Sequence, residues 1–145
     1  MAVKPFETSS VRMESQFLVT VQSPTEDVDR ILSHITAITS LALGKYDHNS
    51  FETAVGFERY RPLAGAVAGP ETEDRKRPGV SLFSFQIAHD QSLLSEIVEK
   101  IFQVHSYQEP VIIVETVLAS RSKGLDDSEN PNRWWNTSGD WKSKN

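Results

Sequence analysis

Four histidines are the most chemically versatile side chains in this 145-residue sequence, because imidazole can bind a metal ion or transfer a proton near neutral pH. No two are spaced to share one helix face as metal ligands. His48 follows Asp47, and His105 begins the polar run His105-Ser106-Tyr107-Gln108-Glu109. Imidazole and carboxylate suit zinc, copper or a similar divalent ion, so His48, His105, Glu109 and Asp47 are candidate ligands. The alternative is that both clusters simply fix loop conformation through hydrogen bonds.

Groupings that support common catalytic chemistries are missing from the sequence. Zero cysteines exclude disulfides, thiol nucleophiles and thiolate metal sites. No serine lies in a Gly-x-Ser-x-Gly elbow, and Gly44-Lys45 is followed by Tyr46 rather than by the Ser or Thr of a phosphate loop. A lone general base, His48 or His105, would lack a partner. We therefore expect a protein that binds or assembles rather than an enzyme.

Composition and charge narrow the function further. The 38% hydrophobic and 24% charged residues are ordinary for one globular domain of this length. A net charge of -5 disfavours nucleic acid and anionic membranes as partners, because both require dense Lys and Arg. No apolar run approaches the roughly 20 residues of a membrane-spanning helix, and residues 1–12 lack a signal peptide's apolar segment, so we expect a cytoplasmic protein. The basic cluster Arg75-Lys76-Arg77 is predicted to lie in a solvated loop.

The elements of the first half follow from apolar spacing. Alternation of Phe17, Val19 and Val21 with polar residues predicts a strand over 15–22. Ser23-Pro24-Thr25-Glu26 resembles a capping box, after which apolar residues recur at helical spacing as far as Ile38. Residues 45–60 are predicted to form a second extended element, interrupted near its glycine.

The second half repeats this order after a long loop predicted over 61–79. Alternation predicts a third strand over 80–88, and Asp90 is the expected cap of a helix that extends to about Val104. Residues 111–118 are rich in β-branched residues with apolar side chains on both faces, which indicates a strand covered on both sides. This last strand is expected to meet a neighbouring subunit.

The order of elements predicts an α+β domain over residues 15–119. Strand, helix, strand, strand, helix, strand is the ferredoxin-like βαββαβ sandwich, an antiparallel sheet with two helices on one face. Residues 1–14 are expected to be a flexible arm. The polar tail, 120–145, carries Trp134, Trp135 and Trp141, which are expected to pack on the core or on a neighbouring subunit, with ligand stacking as the alternative.

Two segments resemble a known family. Gly44-Lys45-Tyr46-Asp47-His48-Asn49-Ser50-Phe51, followed by Tyr60-Arg61-Pro62-Leu63-Ala64-Gly65-Ala66, resembles the domain inserted in bacterial YqfO proteins of the Nif-three family. His105-Ser106-Tyr107-Gln108-Glu109-Pro110 is similar to that domain's His-Pro-Tyr-Glu-Glu-Pro signature, with Ser106 and Gln108 as departures. The resemblance covers residues 15–119.

This resemblance carries implications for fold and function. The inserted domain is similar to CutA and to PII signalling proteins, which implies a ferredoxin-like subunit that forms trimers. The metal centre of full-length Nif-three relatives lies in a flanking domain, so their hydrolase activity is not expected here. Binding of copper or zinc in the CutA manner is one alternative. A PII-like effector site is another, in which the loop and Arg75-Lys76-Arg77 receive a nucleotide; Tyr46, Arg61 and Tyr107 are the candidate ligand-binding residues.

Overall fold

A computed structural model describes residues 3–124 and 127–136 of the chain. These residues contain six strands, two α-helices and two single-turn 3₁₀ helices, and neither α-helix is long and apolar enough to cross a membrane. The strands are β1 (Phe6–Glu7), β2 (Val11–Pro24), β3 (Phe51–Glu52), β4 (Gly56–Tyr60), β5 (Arg75–Ala88) and β6 (Val111–Ser122), and the helices are α1 (Val28–Thr36) and α2 (Gln91–Val104).

All six strands form one antiparallel sheet. β2 lies at its centre between β6 and β5, and both β3 and β4 pair with the far side of β5. Since β3 and β4 together take the place of one ferredoxin-like strand, the predicted βαββαβ arrangement is confirmed. β1 adds a short pairing along the first residues of β2.

The core lies between the two helices and one face of the sheet. Alternate residues of β2 and β5 point to this face, as a half-covered sheet requires. The buried cluster joins them to apolar residues of both helices and consists chiefly of Phe17, Val19, Val21, Ile31, Ile35, Phe83, Phe85, Ile87, Ile97 and Ile101. Burial of these side chains is the main source of stability in a chain without disulfides.

The two helices begin in different ways. Asp90 caps α2 as predicted, since its side chain accepts hydrogen bonds from the backbone N–H groups of Ser92 and Leu93. The capping box predicted at Ser23 is wrong. β2 continues through Pro24, the Ser23 hydroxyl donates to the Pro24 carbonyl, and a 3₁₀ turn (Thr25–Asp27) precedes α1.

Several boundaries also differ from the sequence prediction. β2 begins at Val11 and β1 lies within the predicted arm, so the expected boundary at residue 15 is too late. β5 begins at Arg75, which places the whole basic cluster in a strand and ends the long loop at residue 74. Gly79 has a positive φ of 77° beside a register shift between β4 and β5. This bulge interrupts the alternation of apolar residues, so the alternation predicts a strand that starts only at residue 80.

Neither α-helix of the described residues packs on the other face of the sheet. In the registered pairs, Thr20 of β2 lies beside Ser84 of β5 and Ile113 of β6, and Phe51 of β3 lies beside Ser84. Directly paired residues share a face, so one row of side chains crosses four strands. We call this surface the helix-free face.

Candidate functional site

The segment His105–Glu109, here called the motif segment, connects α2 to β6 and is anchored by its histidine. The His105 side chain is buried, and its Nδ1 accepts a hydrogen bond from the Tyr107 N–H at 3.0 Å. Because a backbone N–H can only donate, Nε2 carries the ring proton and donates to the Gln22 carbonyl at 2.8 Å. Both ring nitrogens are therefore occupied within the chain.

Ser106 connects the motif segment to the start of α1. Its hydroxyl donates to Oδ2 of the buried Asp27, and Arg30 donates to Oδ1 of the same carboxylate at 2.9 Å. Burial alone would raise the pKa of Asp27, but the hydrogen bonds from Ser106 and Arg30 outweigh it and hold that pKa below its ordinary value. Serine in place of the signature proline thus supplies a donor that proline lacks.

Tyr107 is the centre of a second polar group, formed with three strands. Its hydroxyl donates to Glu58 Oε1 at 2.6 Å and receives a hydrogen bond from Arg77, and the Gln22 side chain donates to Glu58 Oε2 at 2.7 Å. Burial, together with the Glu58 carboxylate, raises the pKa of Tyr107, so this phenol stays protonated. The Arg77 guanidinium lies 3.8 Å from Glu58 and completes the pair of opposite charges.

Arg75 is held in the same way at the end of the long loop. Its guanidinium donates to both carboxylate oxygens of Glu71 and, at 3.2 Å, to the Tyr60 hydroxyl. The hydrogen bond from Arg75 lowers the pKa of Glu71. Lys76 places its Nζ 4.4 Å from the ring centroid of Phe57. The prediction of a loop is therefore wrong, because the cluster belongs to a strand. Its predicted exposure is confirmed for Arg75 and Lys76, and the two arginines form ion pairs.

A cavity of about 510 Å³, here called the cleft, opens between the loop Arg61–Asp74 and the motif segment. Its volume falls within the range typical of small-molecule sites. The loop is tied to the motif segment by a hydrogen bond from the Val67 N–H to Gln108 Oε1 at 3.0 Å. Its charged lining residues are Glu58, Arg59 and Glu109, and its apolar and aromatic lining includes Tyr60, Pro62, Val67, Tyr107 and Val111.

The four candidate metal ligands occupy different environments. His48, with a positive φ of 55°, and Asp47 are exposed in the segment after α1, whereas His105 is buried and Glu109 lies at the cleft. Within residues 3–124 and 127–136, no group of three or more His, Cys, Asp or Glu could hold a metal ion. Since the His105 nitrogens are already engaged, these residues of a single chain do not fit a metal centre.

The candidate ligand-binding residues are also separated. Tyr107 lines the cleft, and Arg61 is exposed where the adjoining loop begins. Tyr46 is 68% exposed in a different loop, where its backbone pairs with Leu43. Sequence reasoning missed Glu58 and Gln22. Pairing of the first predicted strand with the last would have placed Gln22 opposite Val111, two residues beyond the motif segment.

The tail residues that the structure describes include a second 3₁₀ turn, Trp134–Asn136. The Trp134 and Trp135 rings pack edge to face with centroids 5.9 Å apart, and Trp135 remains 51% exposed. Trp141 lies outside the described residues. Packing of the tail on a neighbouring subunit stays a prediction.

Comparison with known proteins supports the fold. No protein-family model matches the chain, and no curated protein matches its sequence. Among solved structures, a Bacillus cereus protein related to NIF3 is 17% identical with a TM-score of 0.60 over 81% of this chain. The match spans only 28% of that larger protein.

Two CutA1 structures are similar over most of their own length. CutA1 from Oryza sativa is 18% identical, with a TM-score of 0.51 over 72% of this chain and 82% of its own. The divalent ion tolerance protein CutA1 from Ehrlichia chaffeensis is 19% identical, with a TM-score of 0.50 over 79% and 87%. The fold expected from the two sequence motifs, that of NIF3-related and CutA-like proteins, is thus confirmed.

Proposed function

We propose that this chain is a non-enzymatic binding module that assembles from copies of itself, with a trimer as the assembled form. The observation that carries this proposal is the uncovered helix-free face of the sheet. A non-catalytic role is supported at the motif segment, where the His105 ring already uses both nitrogens and is not free to transfer a proton to a ligand.

The helix-free face has the composition of a surface that another copy would cover. Leu82, Val111, Ile113 and Phe51 are between 39% and 68% exposed there. They belong to three strands, β3, β5 and β6, and alternate with short polar side chains such as Thr20 of β2. Large apolar side chains gathered on one exposed face are typical of interaction sites in soluble proteins.

Strand β6 adds a second reason for assembly. Among residues 3–124 and 127–136 it pairs only with β2, so its outer edge presents backbone N–H and C=O groups along Val111–Ser122 that no other described strand pairs. Exposed edge strands readily pair with other chains unless they are covered. A closed ring of identical subunits would cover both the edge and the face, since cyclic symmetry leaves no open interface.

A matched pair of charge substitutions tests the assembly. Ile113→Glu places a carboxylate on the helix-free face, whereas Phe102→Glu places one at a similarly exposed apolar position of α2. In sedimentation velocity at micromolar concentration, we expect Ile113→Glu to dissociate the assembly and Phe102→Glu to preserve it. Equal sedimentation of both variants and the wild type would reject the helix-free face as the interface.

The binding role is assigned to the cleft. It is the cavity in which the loop Arg61–Asp74 meets the motif segment, and its polar groups are held in place by hydrogen bonds from Tyr107 and Gln22 to Glu58. A preorganised cavity loses little free energy in ordering its side chains when a ligand binds. We therefore assign a small-molecule ligand to it.

Copper or zinc binding is a second candidate function, favoured by the description of one similar protein as a divalent ion tolerance protein. Since the described residues of one chain do not fit a metal centre, such a site would have to form between copies. The exposed imidazole of His48, beside Asp47, is the ligand available for it. Calorimetric titration with zinc and copper would give heat that disappears in His48→Asn; no heat with either metal rejects this function.

A further inference from the structure

A second pocket, here called the β5 pocket, opens on the helix-free face. Leu18, Ser84 and Gln86 line it, and they share this face because Leu18 pairs with Gln86 while Ser84 pairs with Thr20. Phe51 of β3 also lines it and is 68% exposed. Its volume of about 200 Å³ is below the roughly 300–1,000 Å³ of small-molecule sites, so its size suits a single side chain.

The segment between α1 and β3 forms another wall of the β5 pocket. Leu41, which is buried, and Leu43 both line it. Asn49 holds this wall in place, since its side-chain amide donates to the carbonyls of Leu41 at 3.0 Å and Tyr46 at 2.8 Å. The pocket is therefore formed within a single chain, and little free energy is lost in ordering it when a partner binds.

The lining of the β5 pocket is uncharged. Its described residues are leucines and phenylalanines beside two serines, an asparagine and a glutamine. A charged group inserted there would lose its hydration without gaining an opposite charge, which is unfavourable. The occupant that fits is a compact, uncharged, apolar group.

A compact apolar side chain projects from the opposite side of the same face. Ile113 of β6 is 51% exposed, and it pairs with Thr20, the same residue that pairs with Ser84. Ile113 thus stands two strand spacings, roughly 10 Å, from Ser84 and points in the same direction. It cannot enter the pocket of its own chain. Val111, which β6 also contributes to this face, already lines the cleft.

We infer that Ile113 of one copy inserts into the β5 pocket of the next copy. The inference rests on the proposed assembly through the helix-free face and specifies which residues meet there. A second copy is the occupant that the structure supports, because the face that holds the pocket also carries the apolar side chain that fits it. Each subunit gives a side chain from β6 and receives one beside β5, and this head-to-tail contact closes a ring when it is repeated.

Paired cysteines test the contact, because the chain has no native cysteine. Ser50→Cys, at an exposed position of the pocket lining, is combined with Ile113→Cys in one chain. Ser50 precedes β3, which lies three strand spacings, roughly 14 Å, from β6, so the limit of about 7 Å between Cα atoms excludes a disulfide within one chain. After oxidation at micromolar concentration, we expect a covalent trimer on non-reducing gels, and single chains from either cysteine variant alone.

The outcomes separate this contact from the proposed assembly. An absence of cross-links in the double variant, while light scattering shows that its reduced form is assembled, overturns the contact and leaves the assembly standing. Cross-linking of Ile113→Cys alone to the same extent also overturns the contact. Products that stop at two chains support the contact and contradict the trimer instead. A single-chain mass of the wild type in light scattering contradicts the assembly and, with it, the inference.

A steric exchange tests the same contact without a covalent bond. Ser84→Phe fills the β5 pocket, and Ile113→Ala removes the inserted side chain, so each should raise the dissociation constant of the assembly at least about tenfold. In the double variant these two fold-changes should not multiply, because both act on one contact. Val111→Ala is the matched control, whose effect should multiply with that of Ser84→Phe. Sedimentation velocity measures the constants, and independent effects of Ser84→Phe and Ile113→Ala would overturn the inference.

Discussion

The two segments that follow the helices carry the two candidate histidines, and the chain uses them differently. After α2, His105 is 8% exposed and both of its nitrogens are hydrogen bonded. After α1, His48 is exposed, and its one hydrogen bond to the described residues runs from its backbone N–H to the Ser40 carbonyl at 2.7 Å. The same residue type therefore forms a buried structural anchor in one segment and a free surface group in the other.

This difference shows what a histidine motif can and cannot indicate. A ring that donates to a carbonyl and accepts from an N–H satisfies two buried backbone groups that would otherwise be costly to bury. The polar run around His105 is thus explained by the junction of α2, β2 and β6. An exposed histidine has no such constraint and remains available to a ligand.

Removal of the buried ring should have the largest effect on stability. His105→Ala leaves the Gln22 carbonyl and the Tyr107 N–H without partners and opens a void, so we expect the free energy of unfolding to fall by about 3 kcal/mol. Urea denaturation at fixed chain concentration measures this change, since assembly also contributes to stability. A loss below about 1 kcal/mol would mean that the ring is not an anchor.

Tyr107→Phe should have the second-largest effect on stability and tests another polar contact of the motif segment. It removes one hydroxyl, which deprives Glu58 Oε1 of its donor and Arg77 of an acceptor, and keeps the ring. We expect a loss of about 2 kcal/mol, because hydrogen bonds to charged groups contribute about 1.5–3 kcal/mol each. Thermal unfolding of the variant and the wild type measures this loss of stability. An unchanged midpoint would show that the hydrogen bonds of the Tyr107 hydroxyl to Glu58 and Arg77 do not stabilise the fold.

Acid should lower the stability of the contact between the motif segment and the start of α1, because this contact depends on the Asp27 carboxylate. Its pKa is lower in the folded protein than its ordinary value of 3.8, so its stabilising contribution is present above that value and is lost as pH falls through the folded pKa. Asp27→Asn should therefore show a shallower loss of unfolding free energy below about pH 5. Denaturant titrations across this range measure the slopes; parallel slopes for wild type and variant contradict the assignment.

Substitution of the exposed histidine should have the smallest effect on the free energy of unfolding. His48→Asn retains a residue type that tolerates the positive φ of 55°, and it removes no side-chain hydrogen bond of the described residues. We expect the free energy of unfolding to stay within about 0.5 kcal/mol of the wild type. The same urea titrations provide the measurement, and a loss comparable to that of His105→Ala would erase the distinction between the two segments.

Sequence reasoning reached the fold but not the internal arrangement of the site. Periodicity found both helices and most strands because apolar alternation directly reflects burial, as at Phe83 and Phe85. It failed at Arg75, where a strand of basic residues lies beyond the bulge at Gly79. This part of β5 is held by backbone pairing with β4 rather than by burial of its side chains, so alternation does not reveal it.

The cleft was beyond sequence reasoning for a different reason. Its key contacts join residues far apart in the chain, such as Glu58 with Tyr107 and Gln22 with His105. No local pattern encodes these contacts. The resemblance to a family signature pointed to the motif segment, which borders the cleft, but only the packed structure shows that its histidine is used internally.

The most direct test of the proposed function is the mass of the wild-type protein in solution. Light scattering coupled to size exclusion at micromolar concentration should give three times the 16.3 kDa chain mass. This result would support the trimer, and the Ile113→Glu variant then tests whether the helix-free face is its interface. The mass of a single chain, unchanged when the protein concentration is raised, would contradict the proposal.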